Sequence, residues 1–209
     1  NLNETPSANR LHIGIYGKTN SGKSSLINAV TKQEVSIVAD VAGTTTDPVY
    51  KPMEIHPLGP CVIIDTAGFD DDSELGERRV EKTHLAAEKT DIAVVVLDIA
   101  EVIAAKKAGV PFKKAFKDEA EWSLLFAKKH TPVVFALNKI DEILLSAEAQ
   151  EKSSGKLDNA AIEAAKCWVY EENSAVMGKN ADNSFEVVAV SALKGKGMDA
   201  VISALTRLL

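Results

Sequence analysis

The sequence predicts an α/β fold of three layers, with a mostly parallel sheet of six strands between two layers of helices. Two observations support this prediction. Short apolar runs rich in β-branched residues recur along the chain, and such runs are typical of strands covered on both faces. Helical stretches lie between the runs, and this alternation favours a parallel sheet built from strand–helix–strand units.

The six predicted strands are short, and one of them differs from the rest. They span residues 11–15, 49–55, 61–64, 92–97, 133–137 and 186–190. Pro52 falls in the second strand and cannot donate a hydrogen bond to a neighbouring strand. We therefore place the strand 49–55 at an edge of the sheet, as the one antiparallel strand.

The helices are predicted from apolar residues at helical spacing. Leu26, Ile27 and Val30 form such a face directly after the first strand, and further helices are expected at 74–89, 116–129, 159–171 and 197–209. The polar segment 144–184 contains one of these helices, so we interpret it as a helical insertion. The chain then forms one domain, 1–209, in which residues 1–9 are an N-terminal extension.

Composition limits the range of functions. The chain has 209 residues, 45% of them apolar, and a net charge of -6 with a pI of about 5.3. This acidic balance argues against broad, salt-driven binding, so we expect neither a nucleic acid nor a membrane as partner. No apolar run approaches the ~20 residues of a bilayer-spanning helix, so we expect a soluble, cytoplasmic protein.

A glycine-containing motif follows the first strand and precedes a helix. Its residues match the phosphate-loop pattern GxxxxGK[ST]: Gly17-Lys18-Thr19-Asn20-Ser21-Gly22-Lys23-Ser24. Backbone N–H groups of such a loop surround phosphate oxygens, Lys23 reaches the outer phosphates, and the Ser24 hydroxyl binds Mg²⁺. An ordinary glycine-containing turn is the alternative. The nucleotide-binding residues predicted here are Thr19, Asn20, Ser21, Gly22, Lys23, Ser24 and Ser25.

A second motif selects the base. Asn138-Lys139-Ile140-Asp141 directly follows the strand 133–137. The Asp141 carboxylate can accept hydrogen bonds from the N1–H and the exocyclic amine of guanine, whereas adenine presents it with an unpaired acceptor. Lys139 can lie over the ring, and Ser191-Ala192-Leu193 can supply a backbone donor to the guanine carbonyl. Solvated loop charges are the alternative interpretation of the tetrapeptide.

Two shorter segments complete a phosphate site. Asp65-Thr66-Ala67-Gly68 follows the strand 61–64, so Asp65 can bind Mg²⁺ through water and the Gly68 N–H can contact the terminal phosphate. In the segment 43–47, the Thr45 hydroxyl is our choice to complete the Mg²⁺ shell. A solvated strand-to-turn junction is the alternative for Asp65. Together these motifs predict a P-loop GTPase domain that binds GTP and GDP.

The ordered motifs resemble the translation-factor-related class of GTPases, and within it the potassium-dependent branch of tRNA-modifying and ribosome-assembly G proteins. This resemblance covers nearly the whole chain. Phe69 stands where Ras-like enzymes place a catalytic glutamine, which excludes a glutamine mechanism. The resemblance implies instead a K⁺ ion held by Asn20 and by backbone carbonyls of the loop before Gly43. The expected catalytic residues are Lys23, Asn20, Thr45 and Gly68.

A closer resemblance is to the GTPase domain of the HydF family of [FeFe]-hydrogenase maturation factors. It rests on residues 3–14, on the string Gly43-Thr44-Thr45-Thr46-Asp47-Pro48-Val49-Tyr50-Lys51, and on residues 65–72 and 74–76. The resemblance implies slow, Mg²⁺-dependent and K⁺-stimulated GTP hydrolysis as a regulatory switch. It also implies radical-SAM maturation enzymes and hydrogenase as partners through the full-length protein, and a homodimer as one expected assembly.

We expect the dimerisation and iron–sulfur domains of that family to be absent from this chain, which does not begin with Met. Cys61, Cys167 and four scattered histidines do not match the family's clustered ligands, so no iron–sulfur cluster is expected. Two alternatives stay open: a tRNA-modification or ribosome-assembly GTPase of the same class, and a docking module that binds nucleotide without hydrolysing it. The residue that orients the attacking water is also open among Asp70, Asp71, Asp72 and Glu74.

Overall fold

In the described part of the chain, the central sheet is mixed and has seven strands. The computed structural model describes residues 9–32, 36–37, 49–70, 76–148, 155–178 and 184–209. Its strands are β1 (Leu11–Gly17), β2 (Ser36–Ile37), β3 (Tyr50–Ile55), β4 (Gly59–Asp65), β5 (Ile92–Asp98), β6 (Val133–Asn138) and β7 (Phe185–Ala189). Their order across the sheet is β2-β3-β4-β1-β5-β6-β7. β3 is antiparallel to both β2 and β4, and the other described strand pairs are parallel.

The predicted fold class is confirmed, and its antiparallel strand is β3. The position of β3 at the edge needs correction, because Ser36 and Ile37 of β2 pair with Glu54 and Met53 on its outer side. A strand of two residues is too short to show an alternating pattern in the sequence. The sequence therefore predicted six strands and did not predict the pairing of β2 with β3.

Eight helices surround the sheet in the described part of the chain. They are α1 (Lys23–Thr31), α2 (Gly76–Lys89), α3 (Ile99–Lys107), α4 (Phe112–Ala115), α5 (Lys117–Lys128), α6 (Ile140–Glu148), α7 (Gly155–Met177) and α8 (Met198–Leu208). A 3₁₀ turn, Thr66–Asp70, follows β4. The predicted helices near α1, α2, α5, α7 and α8 are present, whereas α3, α4 and α6 were not predicted.

The unpredicted helix α3 has a local cause in the chain. It continues directly from β5, and its apolar residues extend the apolar run of that strand, so its periodicity is hidden in the sequence. The Asp98 side chain ends the strand and caps the helix, because Oδ1 of Asp98 accepts a hydrogen bond from the N–H of Ala100 at 2.9 Å. The predicted helix 116–129 starts one residue later, since Phe116 is non-helical with φ of -124° and ψ of 63°.

Among the described residues, two large apolar cores lie on opposite faces of the sheet, apart from a small third cluster around the 3₁₀ turn. One core packs α1 and α8 against the strands, with Leu26, Val30 and Leu205 nearly inaccessible to solvent. The other core joins α3, α5 and α7 to the opposite face and contains Phe126, Phe135 and Val169. This arrangement gives the three layers that the sequence predicts.

Helix α7 lies within the segment 144–184, which the sequence predicts to be a helical insertion. That segment also contains the end of α6, and residues 149–154 and 179–183 lie outside the described residues. Helix α7 spans Gly155–Met177 and packs against β7, α3, α5 and α6. Ile162, Ala165 and Val169 are buried in the second core. The helix therefore forms the crossover between the parallel strands β6 and β7, as such a connection requires.

Five parallel strands bring polar residues to one edge of the sheet. The carboxyl ends of β1, β4, β5 and β6 are Gly17, Asp65, Asp98 and Asn138, and β7 leads into Ser191. Ligands of open α/β sheets bind at this edge. In the described residues, no helix is long and apolar enough to cross a membrane.

Candidate nucleotide-binding site

The phosphate loop lies between β1 and α1, as predicted. The N–H of Ser21 donates to the carbonyl of Lys18 at 3.1 Å, which closes a tight turn. Asn20 and Gly22 have positive φ angles of 67° and 99°. A side chain at Gly17 would place its Cβ 2.8 Å from the carbonyl oxygen of Val96, so this position requires glycine.

The side chains of the phosphate loop differ in how far they are exposed to solvent. Lys23 is only 5% exposed, and its Nζ donates to the carbonyl of Gly17, which joins the two ends of the loop. Thr19, Asn20 and Ser24 are exposed, and Ser25 is half-buried. The Ser21 hydroxyl is buried and makes no hydrogen bond with the described residues. The exposed hydroxyls and amide therefore lie where a ligand can reach them.

Asn138 connects the phosphate loop to the loop after β7. Its side chain is buried, and Nδ2 donates to the carbonyl of Ser21 at 3.0 Å. Its Oδ1 accepts from the N–H of Ala192 at 3.0 Å. A Cβ at Gly22 would lie 2.0 Å from that same Nδ2, so glycine is needed for this close approach. The amide of Asn138 is thus used within the protein and fixes two loops relative to each other.

Asp141 and Ser191 meet across the same edge of the sheet. The Ser191 hydroxyl donates to Oδ1 of Asp141 at 2.6 Å, and the same hydroxyl accepts from the N–H of Lys194 at 3.2 Å. Ser191 is fully buried, whereas Leu193 is 76% exposed. The contact fixes the orientation of the Asp141 carboxylate, which is half-buried.

Lys139 is held by a carboxylate that the sequence analysis did not single out. Its Nζ lies 3.0 Å from Oδ2 of Asp98, and its backbone has a positive φ of 70°. Since Asp98 also caps α3, the lysine is tied to a fixed helix start. The available signal was the position of Asp98 directly after an apolar strand, the same position that Asp65 occupies after β4.

Asp65 is held by contacts on both of its carboxylate oxygens. Oδ2 lies 2.8 Å from Nζ of Lys51 in β3, and Oδ1 accepts from the N–H of Ala67 at 3.0 Å. The next residue, Thr66, donates its hydroxyl to the carbonyl of Ile15 at 2.6 Å. The start of the 3₁₀ turn is therefore fixed to both β1 and β3.

The remaining predicted residues divide between this turn and a part of the chain that is not described. Gly68 lies in the 3₁₀ turn after β4. Phe69 is 8% exposed and packs with Ile64 and Ala86. Gly43 and Thr45 lie outside the described residues, as do Asp71, Asp72 and Glu74. The structure therefore gives no position for the predicted Thr45 ligand.

The cysteines lie away from this edge. Cys61 is buried within β4, and burial raises the pKa of its thiol to about 11, so the thiolate is suppressed. Cys167 is exposed on α7. Within the described residues, no three His, Cys, Asp or Glu side chains are grouped as a metal site would need.

The fold and the site together define a class of protein. A phosphate loop between β1 and α1 and an Asn-Lys-x-Asp turn after β6 are joined by Asn138, which is the arrangement of a P-loop GTPase domain. The chain belongs to the family described as 50S ribosome-binding GTPase, whose family model matches residues 12–139. GTPases are hydrolases that act on GTP.

Curated relatives match parts of the chain. GTPase Der of Mycoplasmopsis pulmonis is 54% identical over 65 residues, which cover 31% of this chain and 15% of the relative. The tRNA modification GTPase MnmE of Laribacter hongkongensis is 34% identical over 132 residues, which cover 63% of this chain and 26% of the relative. The chain thus spans a minor part of the length of these relatives.

Solved structures share the fold. A variant of Era from Aquifex aeolicus, bound to GDP and AlF4⁻, matches 95% of this chain and 56% of its own chain, with a TM-score of 0.60 and 24% identity. A GTP-binding protein of Sulfolobus solfataricus in complex with GDP matches 95% of this chain and 52% of its own, with a TM-score of 0.57 and 20% identity. At this identity the likeness supports the three-layer architecture alone.

We expect Asn138→Ala to weaken both the domain and its nucleotide site. The substitution leaves the Ser21 carbonyl and the Ala192 N–H without their buried partner, which costs about 1–3 kcal/mol in unfolding free energy. Urea denaturation measures this loss, and titration with a fluorescent GDP analogue measures affinity. Asn159→Ala, at an exposed position of α7, is the control and should change neither quantity. Equal stability of both variants would contradict the bridging role of Asn138.

Proposed function

We propose that this chain is the GTPase domain of a maturation factor for [FeFe]-hydrogenase, of the HydF family. It binds GTP and GDP and hydrolyses GTP slowly, with Mg²⁺ and K⁺, as a switch that regulates maturation. The observation that carries the nucleotide part is the buried Asn138 bridge, which sets the phosphate loop and the Asp141–Ser191 pair in one fixed frame.

Guanine selection rests on the Asp141 carboxylate. The carboxylate only accepts hydrogen bonds, and the Ser191 hydroxyl already donates to Oδ1. Its orientation is therefore set before a base arrives. The N1–H and the exocyclic amine of guanine supply two donors to such a group, whereas the adenine edge supplies an acceptor at the corresponding ring nitrogen. The resulting mismatch disfavours ATP.

We expect Asp141→Asn to shift preference from GTP to XTP. The amide replaces one acceptor by a donor, which matches the additional carbonyl of xanthine and opposes the amine of guanine. GTP affinity should fall at least about tenfold, a loss of about 1.4 kcal/mol, while XTP affinity rises. Competition titrations against a fluorescent nucleotide measure both values. Glu142→Gln alters an exposed carboxylate one residue away and should leave GTP affinity unchanged. An Asp141→Asn variant with unaltered GTP affinity would refute this assignment.

The phosphates and Mg²⁺ are assigned to residues around the loop. Ser24 presents an exposed hydroxyl in the first turn of α1, and Asp65 presents a carboxylate, so both are the hard oxygen ligands that Mg²⁺ prefers. Asp65 would act through water, and Thr45 is proposed as a further ligand. When bound, Mg²⁺ would offset negative charge on the phosphate oxygens. Lys23 provides a second positive charge from within the loop.

The K⁺ site is assigned to Asn20. This side chain is exposed, so its carbonyl oxygen is accessible to a cation. The positive φ of Asn20 also suits an asparagine that merely forms a turn. The Phe69 side chain is buried and has no polar atom with which to orient water. This supports a need for a cation to assist GTP hydrolysis at this site.

We expect GTP hydrolysis to rise at least about tenfold when Na⁺ is replaced by K⁺ at constant ionic strength, because a bound cation offsets charge that develops on the phosphates. Asn20→Gly preserves the positive φ and removes the side chain, so it should abolish the stimulation while GDP binding is kept. Phosphate release gives the rates. Equal rates in both salts would exclude the K⁺ mechanism, and the absence of phosphate release in either would support a docking module that binds nucleotide only.

The link to hydrogenase maturation rests on sequence. The string 43–51 and the segments beside Gly68 resemble the HydF family, whereas the curated relatives are named GTPase Der and tRNA modification GTPase MnmE. The second candidate is therefore a tRNA-modification or ribosome-assembly GTPase of the same class. The net charge of -6 favours the first candidate, because broad contacts with RNA phosphates need a basic surface.

Disruption of the gene separates the two candidates. We expect cells without it to produce inactive [FeFe]-hydrogenase and to keep normal tRNA modification. A wild-type copy should restore hydrogenase activity, whereas a Lys23→Ala copy should not, because it loses a charge-assisted contact to the outer phosphates. Hydrogenase assays and analysis of modified nucleosides are the measurements. Loss of a tRNA modification with normal hydrogenase activity would establish the second candidate instead.

A further inference from the structure

A buried carboxylate lies beside the phosphate loop without a role in the site described so far. Glu119 of α5 is 1% exposed, and its Oε2 makes no hydrogen bond with the described residues. It lies on the buried face of the helix, together with Ser123, Phe126 and Ala127. Burial of a carboxylate in such a place costs stability, and an apolar side chain of similar size would avoid that cost.

The cation beside Glu119 belongs to the phosphate loop. Nζ of Lys18 lies 3.8 Å from Oε2 of Glu119 and 5.7 Å from the ring centroid of Phe116. Lys18 directly follows Gly17, and its carbonyl accepts the Ser21 N–H that closes the turn. A contact that restrains Lys18 therefore restrains the first part of the loop.

The other charges near Glu119 do not favour its ionised form. Burial raises the pKa of Glu119 above its ordinary value and is the largest effect, whereas a hydrogen bond from its own backbone N–H and the charge of Lys18 lower the pKa, and Asp118 and Glu101 raise it. Among these named side chains, Lys18 is the one that stabilises the carboxylate. Lys18 is therefore the side chain whose position is coupled to the Glu119 carboxylate, across 3.8 Å.

We propose that Glu119 is a positioning residue of the nucleotide site: through its ion pair with Lys18, it holds the phosphate loop in the conformation that surrounds a nucleoside diphosphate. The inference rests on the proposed nucleotide function. It assigns a helix outside the sequence motifs to phosphate binding. It also explains why a carboxylate occupies a position where an apolar side chain would be more stable.

The two members of the pair differ in what their removal leaves behind. The Lys18 side chain is 42% exposed and lines a cavity of about 400 Å³ between α2 and α5, so a released ammonium stays hydrated. Glu119 has no such access to water. Loss of Glu119 therefore removes a costly group, whereas loss of Lys18 leaves a buried and unpaired carboxylate.

Because of this asymmetry, four forms of the 209-residue chain test the inference: the wild type, two single variants and the double variant. Glu119→Met should raise Tm by about 2–4 °C and weaken binding of a fluorescent GDP analogue about threefold to tenfold. Lys18→Met should lower Tm and weaken binding to a similar extent. The double variant should regain Tm and bind no more weakly than either single variant, because both substitutions remove the same contact.

Controls separate positioning from packing. Glu121→Met changes an exposed carboxylate that lines the same cavity and should alter neither Tm nor affinity. Lys18→Arg keeps the cation and should bind GDP more tightly than Lys18→Met. Glu119→Gln keeps the shape of the side chain and removes its charge, so it should also weaken GDP binding. It replaces Glu119→Met in the test if the Met variant does not fold.

The outcomes that overturn the inference are distinct from failure of the proposed function. Unchanged GDP affinity in folded Glu119→Met or Glu119→Gln would overturn the positioning role, and so would additive losses in the double variant. A wild-type chain that fails to bind GDP would instead refute the proposed nucleotide function.

Discussion

The bridge made by the Asn138 side chain is the contact on which the geometry of the site depends. Its amide donates to the Ser21 carbonyl and accepts from the Ala192 N–H, so one buried group at the end of β6 joins the loops that follow β1 and β7. These strands are not neighbours in the sheet. The phosphate loop and the loop after β7 are therefore joined directly by a side chain, and Gly22 leaves room for that side chain.

Charge at this edge of the sheet is organised in local pairs. Lys139 is held by Asp98, Lys51 is held by Asp65, and Lys18 faces Glu119. A chain with a net charge of -6 can thus present an environment suited to an anionic ligand, because backbone N–H groups of the loop and the start of α1 act over short distances. The paired carboxylates fix where each cation lies. Net charge governs only the long-range attraction.

Residues at fixed spacing could be predicted from the sequence, and their distant partners could not. The alternation of strands and helices and the phosphate loop follow from periodicity and from a motif whose backbone geometry demands Gly17 and Gly22. Glu119 escaped prediction because one acidic residue in an amphipathic helix looks solvated until the helix is placed on the sheet. Strand β2 escaped because two residues show no pattern, and α3 because its apolar residues continue those of β5. Each feature that the sequence did not predict depends on tertiary placement, is too short to show a periodic pattern, or continues an apolar run that hides its own pattern.

Packing against the rest of the protein also differs along helix α2. Helix α2 buries Ala86 and Ala87 near its end, whereas its first two turns are largely exposed and border the cavity of about 400 Å³ that separates it from α5. The 3₁₀ turn Thr66–Asp70 is anchored on both sides of Gly68, because Thr66 donates to β1 and Phe69 packs with Ala86 of α2. Few buried contacts oppose local opening of the first two turns of α2, whereas Ala86 and Ala87 hold its last turns against the rest of the protein, so the start of α2 is the less stable half of the helix.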